Sequence, residues 1–337
     1  MARRPRASEI CLDECQTYHV ITRCTRQLHL LAGDEASPTG RKDFLLNQLE
    51  RVATFTAVGV AGFSVMDNHL HLLLKVDTES VRTWSPREVI RRWLGLHPPR
   101  DGYRRRLDVE DKHVDAALDG AEEGELAALR TKLGSISQFM KELKQAVTEQ
   151  FNRLDETVGS VWAGRFKAKR VTDEAQLLTT LAYIDLNPFA AKLCDTPEAG
   201  QHTSLAARLH GVSRTVDELN EPPHCSATRG PSDDDDVAEP HATPAECAGW
   251  WMSVGGGEPG RKNAHRALMP GSTLTFARYL KLLDRLARIL RRGKQSLAGD
   301  ATPVLDRLTV TPRGLARTLG DWFEKGLPWD RPRPAGG

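Results

Sequence analysis

The stretch from Ala57 to Val76 constrains this chain most. Two runs rich in β-formers, Ala57 to Met66 and His69 to Val76, are separated only by Asp67-Asn68. Short polar turn residues between two such runs predict an antiparallel β-hairpin. Thr17 to Cys24 (TYHVITRC) alternates and reads as a further strand. Between them, Phe44, Leu45, Leu49 and Val52 form a helical stripe over Lys42 to Phe55. Ser85-Pro86-Arg87-Glu88 reads as a helix start, with Ser85 as N-cap, Pro86 at the first position, Glu88 closing a capping box and Trp84 stapled to Val89. His97 to Asp111 reads as a loop, and a helical pattern resumes from Asp115 to Phe151 with a break at Gly134. Trp162 to Val171 (WAGRFKAKRV) reads as a strand. Thr172 is the expected cap of the next helix, which Pro188 is expected to limit. Strand, helix, hairpin, helices, strand, helix is an α+β order, not that of a doubly wound parallel sheet. No glycine-rich dinucleotide fingerprint or Walker A stretch is present, so a nucleotide cofactor has no support.

Composition divides the chain further. After Leu209 large apolar residues thin out, and Glu221 to Pro240 carries four prolines and the acidic run Asp233 to Asp236. This predicts three parts: a domain over 1–209, a flexible acidic, proline-rich linker over 210–274, and a helical region over 275–337. In the last part Phe276, Tyr279, Leu280, Leu283, Leu286, Ile289 and Leu290 fall at helical spacing, and a final helix is expected from Thr311 to Glu324. A 39% hydrophobic and 27% charged composition over 337 residues fits a globular protein, and the net charge of +2 announces no nucleic-acid binder by itself. No apolar run approaches a membrane span, and no apolar segment follows the basic Met1 to Arg6. A cytoplasmic protein without a membrane partner is the expectation. The six cysteines contain no CxxC pair and read as reduced thiols. Cys11, Cys15 and His19 lack the second half-site that zinc would need.

Two local features carry possible chemistry. In His69-Leu70-His71 the imidazoles alternate with a leucine, so on a strand both project to one face, where they can share a divalent metal. A pair that merely satisfies local hydrogen bonds stands as the alternative. In Ala182-Tyr183-Ile184-Asp185-Leu186-Asn187-Pro188, Tyr183 falls off the Leu177, Leu178, Leu181 stripe and onto a polar side with Gln176, Thr179, Thr180 and Asn187. An amphipathic tyrosine at a domain edge is the plain reading there.

His-Leu-His on a hairpin, then WAGRFKAKRV, then AYIDLNP, together with Tyr18-His19-Val20-Ile21, Arg23 and Val65-Met66-Asp67-Asn68, resemble the HUH single-tyrosine transposases. The match is closer to their REP-associated branch and spans about Thr17 to Thr203. The resemblance implies a ferredoxin-like antiparallel sheet with helices on one face, plus a C-terminal helical appendage. It implies that His69 and His71 bind Mg²⁺ or Mn²⁺, with Asn187 as third ligand and Asp185 as the weaker alternative. It implies that Tyr183 attacks single-stranded DNA, giving a 5′-phosphotyrosine and a free 3′-OH. Arg23, Arg165, Lys167, Lys169 and Arg170 are the expected DNA contacts, with Arg165, Lys167 and Lys169 sharing one strand face. Trp162 reads as core rather than as a base-stacking residue. The expected partner is single-stranded or hairpin DNA in the nucleoid. Monomer and homodimer both stand, as does a domesticated DNA- or RNA-binding regulator of the same fold that performs no cleavage.

Overall fold

The structure is a computed structural model that describes residues 16–32, 40–101, 107–209, 253–255, 267–269 and 276–289. Strands β1 (Thr17–Arg23), β2 (Val58–Val65), β3 (His69–Val76) and β4 (Lys167–Val171) form one sheet in the order β2-β3-β1-β4. Every neighbouring pair in it is antiparallel. Helix α1 (Arg41–Phe55) connects β1 to β2. Helices α2 (Thr78–Thr83), α3 (Pro86–Leu96), α4 (Asp111–Asp119), α5 (Glu123–Leu133) and α6 (Ile136–Leu154) lie between β3 and β4. With α1 and α6 as the two crossover helices this is the β-α-β-β-α-β ferredoxin-like arrangement, and the α+β expectation holds.

The sheet is buried on both sides. Tyr18, Val20, Leu70, Leu72 and Leu74 meet residues of α1, α3, α5 and α6 in one core. Ile21, Ala61 and Leu73, from the opposite pleats, meet α7 (Glu174–Ala190) in a second. The helices expected on one face are thus the crossover helices, and α7 covers the other face. A register shift in β2 between Val60 and Gly62 reconciles its sequence with this division. Strict alternation would put Val58 and Val60 opposite to Phe63 and Val65; the extra residue keeps all four in the first core.

Local signals behave unevenly. The Ser85 hydroxyl accepts the Glu88 N–H, but the Glu88 carboxylate pairs with Arg92 one turn on, so the capping box is half formed. The helical pattern before Gly134 starts at Asp111 and breaks again at Gly120. The expected strand from Trp162 shortens to Lys167–Val171. Trp162 makes only an isolated bridge to Cys24, and Gly164 at φ 120° turns the chain before pairing resumes. The N-cap of α7 is Asp173, not Thr172: its carboxylate accepts the Gln176 N–H at 2.8 Å. Nor does Pro188 end the helix, which runs to Ala190. A proline one turn from the C-terminus removes a single intrahelical bond. The stop is a Schellman motif, with Lys192 at φ 62°, its N–H on the Phe189 carbonyl and the Leu193 N–H on the Pro188 carbonyl.

Helix α8 (Phe276–Ile289) packs Tyr279, Leu282, Leu283, Leu286 and Ala287 into the α7 core. Within the span read as linker, Ser253–Gly255 (β5) and Ala267–Met269 (β6) pair in parallel. The rest of that span, the basic N-terminus, Cys11, Cys15, Tyr103 and the helix expected at Thr311 to Glu324 lie outside the described residues. No helix among the described residues is long and apolar enough to cross a membrane.

Candidate functional site

The α7 face of the sheet carries the polar chemistry. Alternation on β3 puts His69 and His71 on this face, and their ring centroids are 4.8 Å apart. In the antiparallel register His69 lies opposite Arg23 and His71 opposite Ile21 on β1. Continuing across β1, Lys167 lies opposite Ile21 and Lys169 opposite His19 on β4. Arg23, Lys167 and Lys169 therefore flank the histidines on the same face. Burial lowers the Lys169 ammonium from its usual range. Arg170, opposite Tyr18, belongs to the other pleat, and Arg165 stands in the loop before β4. The expected common face of three basic residues is thus reduced to Lys167 and Lys169.

Helix α7 lays Tyr183 over this face. Its ring centroid is 5.5 Å from that of His71 and 6.0 Å from that of His19, both edge-on. The side of α7 that reads as polar in sequence is largely closed to solvent: Gln176 is exposed, but Thr179, Thr180, Tyr183 and Asn187 are buried. Asn187 sits one turn after Tyr183. Asp185 is engaged elsewhere. Its Oδ1 accepts the Ser204 hydroxyl and the Leu205 N–H, and its Oδ2 accepts the Tyr279 hydroxyl at 2.7 Å, with Arg208 at 3.6 Å. Both oxygens of Asp185, the weaker ligand candidate, are thus already engaged. Tyr279, which reads as remote from the motifs in sequence, is bonded two residues from Tyr183, and burial and Asp185 push its phenol well above the usual range. Tyr18 is buried in the first core with its hydroxyl on Gln16. Trp162 is also core, its indole N–H donating to the Lys144 carbonyl.

Two residues that the motif reading left without a role orient the histidines. The Asn68 amide N–H donates to the Gln27 carbonyl, which turns Asn68 Oδ1 toward His69 Nδ1 at 2.6 Å. An amide oxygen only accepts, so His69 carries a proton on Nδ1, and in the neutral ring the lone pair is then at Nε2. The second residue is His19, fully buried, whose Nε2 is 3.1 Å from His71 Nδ1. Strand alternation puts His19 on the face of Ile21 and Arg23. Its diagonal approach to His71 follows only once β1 is paired with β3.

These residues suit a divalent cation in one respect. His71 Nε2 is buried without a hydrogen-bond partner, and burial, followed by His69, His19 and Arg23, holds the imidazole well below its usual range. It is therefore neutral at neutral pH, the ligating form. Among the described residues no group of three or more His, Cys, Asp or Glu side chains is placed to hold a metal. A cation here would have two imidazoles and complete its shell with amide, water or phosphate oxygen.

No protein-family model matches the chain, and no curated protein matches it. Among solved structures it is similar to "Structure of the REP associates tyrosine transposase bound to a REP hairpin". The identity is 12% and the TM-score 0.35, over 71% of this chain and 99% of that one. This is a distant structural likeness, and the functional argument rests on the residues of the site.

Proposed function

We propose that this chain is a metal-dependent DNA strand transferase of the single-tyrosine transposase type, acting on single-stranded or hairpin DNA. The observation that carries the reading is the Tyr183 ring packed 5.5 Å from His71, beside the His69–His71 pair, on a face flanked by Arg23, Lys167 and Lys169. The motif resemblance assigns chemistry to the same residues. A phenol ionises near pH ~10 and is a poor nucleophile below it, so it needs positive charge nearby. The basic side chains of β1 and β4 supply such charge and hold the phosphate backbone without reading its sequence.

In the proposed reaction the Tyr183 oxygen, its proton released to solvent, attacks the scissile phosphorus. The P–O3′ bond breaks as the P–O(Tyr) bond forms, and the departing 3′ oxygen takes a proton. The product is a 5′-phosphotyrosine and a free 3′-OH. Attack by a second 3′-OH reverses these bonds and joins the strands, so no external energy source is consumed. His69 and His71 would hold the cation, with Asn187 as the proposed third ligand. Bound there, it would polarise the phosphate and offset charge in the transition state. The imidazoles favour Mn²⁺ over the harder Mg²⁺.

The test is denaturing electrophoresis after incubation with labelled hairpin and single-stranded oligonucleotides and Mn²⁺. A covalent adduct that maps to Tyr183 and disappears in Tyr183→Phe is expected. His69→Ala and His71→Ala are expected to lose cleavage and to keep most single-stranded DNA binding, which the basic side chains supply. An adduct that persists in Tyr183→Phe, or cleavage at full rate in either histidine variant, overturns the proposal.

A further inference from the structure

We infer that His19 is a positioning residue that holds His71 in its Nδ1-protonated tautomer, so that His71 Nε2 offers an unprotonated lone pair to a divalent cation. The inference rests on the metal-dependent reading of the site, but its first test does not.

His71 Nδ1 has one neighbour that fixes its state, His19 Nε2 at 3.1 Å. Two imidazole nitrogens at that distance share one proton. If His71 holds it, Nε2 is free to ligate. If His19 holds it, a neutral His71 carries its proton on Nε2 and cannot ligate; burial does not choose between the two states, since the outer nitrogens of both rings, His71 Nε2 and His19 Nδ1, are buried alike. The adjacent ligand is held in the first of these states: the Asn68 carbonyl oxygen obliges His69 to keep its proton on Nδ1. A shared cation requires both Nε2 atoms unprotonated, and His19 as acceptor completes the matching arrangement. An outer partner on the far nitrogen of a metal-bound histidine fixes ring orientation and raises ligand basicity. His19 suits this task because it is fully buried on the central strand β1, paired on both sides, so its ring has little freedom. Its partners across the sheet, Leu73 and Lys169, leave the His71 contact along the diagonal.

The experiment uses the full chain, labelled with ¹⁵N histidine and stripped of metal. Long-range ¹H–¹⁵N correlation at neutral pH reads the tautomer, with the His71 signals assigned by their loss in His71→Gln. The expected pattern is a protonated Nδ1 and a bare Nε2, and the reverse pattern overturns the inference whether or not the protein cleaves DNA. His19→Phe keeps volume and removes the acceptor, so His71 should shift toward the Nε2-protonated form. Mn²⁺ affinity without DNA, followed by electron paramagnetic resonance, should then fall ~10–100-fold. His19→Gln restores an acceptor oxygen and should recover both the tautomer and most of the affinity. Wild-type tautomer and affinity in His19→Phe would overturn the assignment. If His19→Phe fails to fold, the native tautomer and His19→Gln decide it: Gln that folds but leaves His71 in the wrong tautomer counts against it. A wild-type protein that binds no Mn²⁺ while showing the expected tautomer would instead sink the metal-dependent function.

Discussion

The Asp185 carboxylate lies beneath α7 with the Ser204 hydroxyl, the Leu205 N–H and the Tyr279 hydroxyl donating to it and Arg208 facing it. Burial raises its pKa and the Arg208 charge opposes the rise. Removing one partner of such a buried pair strands the other, so Asp185→Ala should cost about 3–5 kcal/mol of stability in urea unfolding. Asn187→Ala, two residues away, should change stability by only about 1 kcal/mol, the common cost of a single substitution, yet weaken Mn²⁺ binding. Equal stability losses with unchanged Mn²⁺ affinity would return both residues to the fold. A second residue-level expectation concerns His202, whose Nε2 meets Asp43 Oδ1 at 3.0 Å near Lys42 and Asp67. Burial lowers this imidazole, and Asp43 only partly offsets it. Folding therefore favours the neutral ring. Its contribution is complete above the unfolded value of ~6.5 and is lost as pH falls through that value toward the folded one. Unfolding free energy measured between pH 7 and 5 should fall less steeply in His202→Gln than in the native chain. The shared face of His69 and His71 and the spacing of Tyr183 and Asn187 by one helical turn were legible because alternation and helical periodicity are local; the roles proposed for them came from the resemblance. His19 and Asn68 were not legible, since their roles depend on a strand pairing and on a carbonyl contributed by Gln27.

At the level of elements, the approach of α7 to the sheet is set by Gly62. A Cβ there would stand 2.5 Å from Leu181 Cδ1, and Leu181 is fully buried, with little room to swing aside. Gly62→Ala should therefore destabilise by about 1–3 kcal/mol. It should also move the Tyr183 ring away from His71, lowering adduct formation. The pairing is specific: Gly62→Ala combined with Leu181→Ala should be less destabilised than the sum of the single variants. Additive losses would mean that the two side chains never compete for the space. The same contact explains why α7 misleads as a sequence. Its apolar stripe and its Thr179, Thr180, Asn187 side suggest a half-exposed helix, but the polar side is the one turned to histidines on a sheet, and α8 covers another. Hairpin, crossover helices and the Ser85 cap follow from short-range pattern. The shortened β4 and the passage through Pro188 depend instead on what the neighbouring segments allow.

Across the whole molecule, the same core tests how far the chain divides into independent parts. Composition argues for a self-sufficient unit ending near Leu209, since the following span is acidic and rich in proline. Packing argues otherwise. Tyr279, Leu282, Leu283 and Leu286 of α8 are buried among the apolar residues of α7, and Tyr279 completes the hydrogen bonding of Asp185. Burial of a large apolar side chain contributes roughly 1.5–3 kcal/mol, an upper estimate when read from a folded structure. Four such side chains amount to a large share of the ~5–15 kcal/mol that stabilises a typical domain. Ending the chain at residue 270 should therefore leave Leu178, Ile184 and the Asp185 carboxylate facing water, lower the urea midpoint and increase binding of an apolar dye. Tyr279→Phe in the full chain separates the two contributions, because it keeps the packing and removes only the hydroxyl, and it should cost about 1–3 kcal/mol. A shortened chain with an unchanged midpoint would establish that α8 is an appendage and that α7 needs only the sheet to hold Tyr183 beside His71.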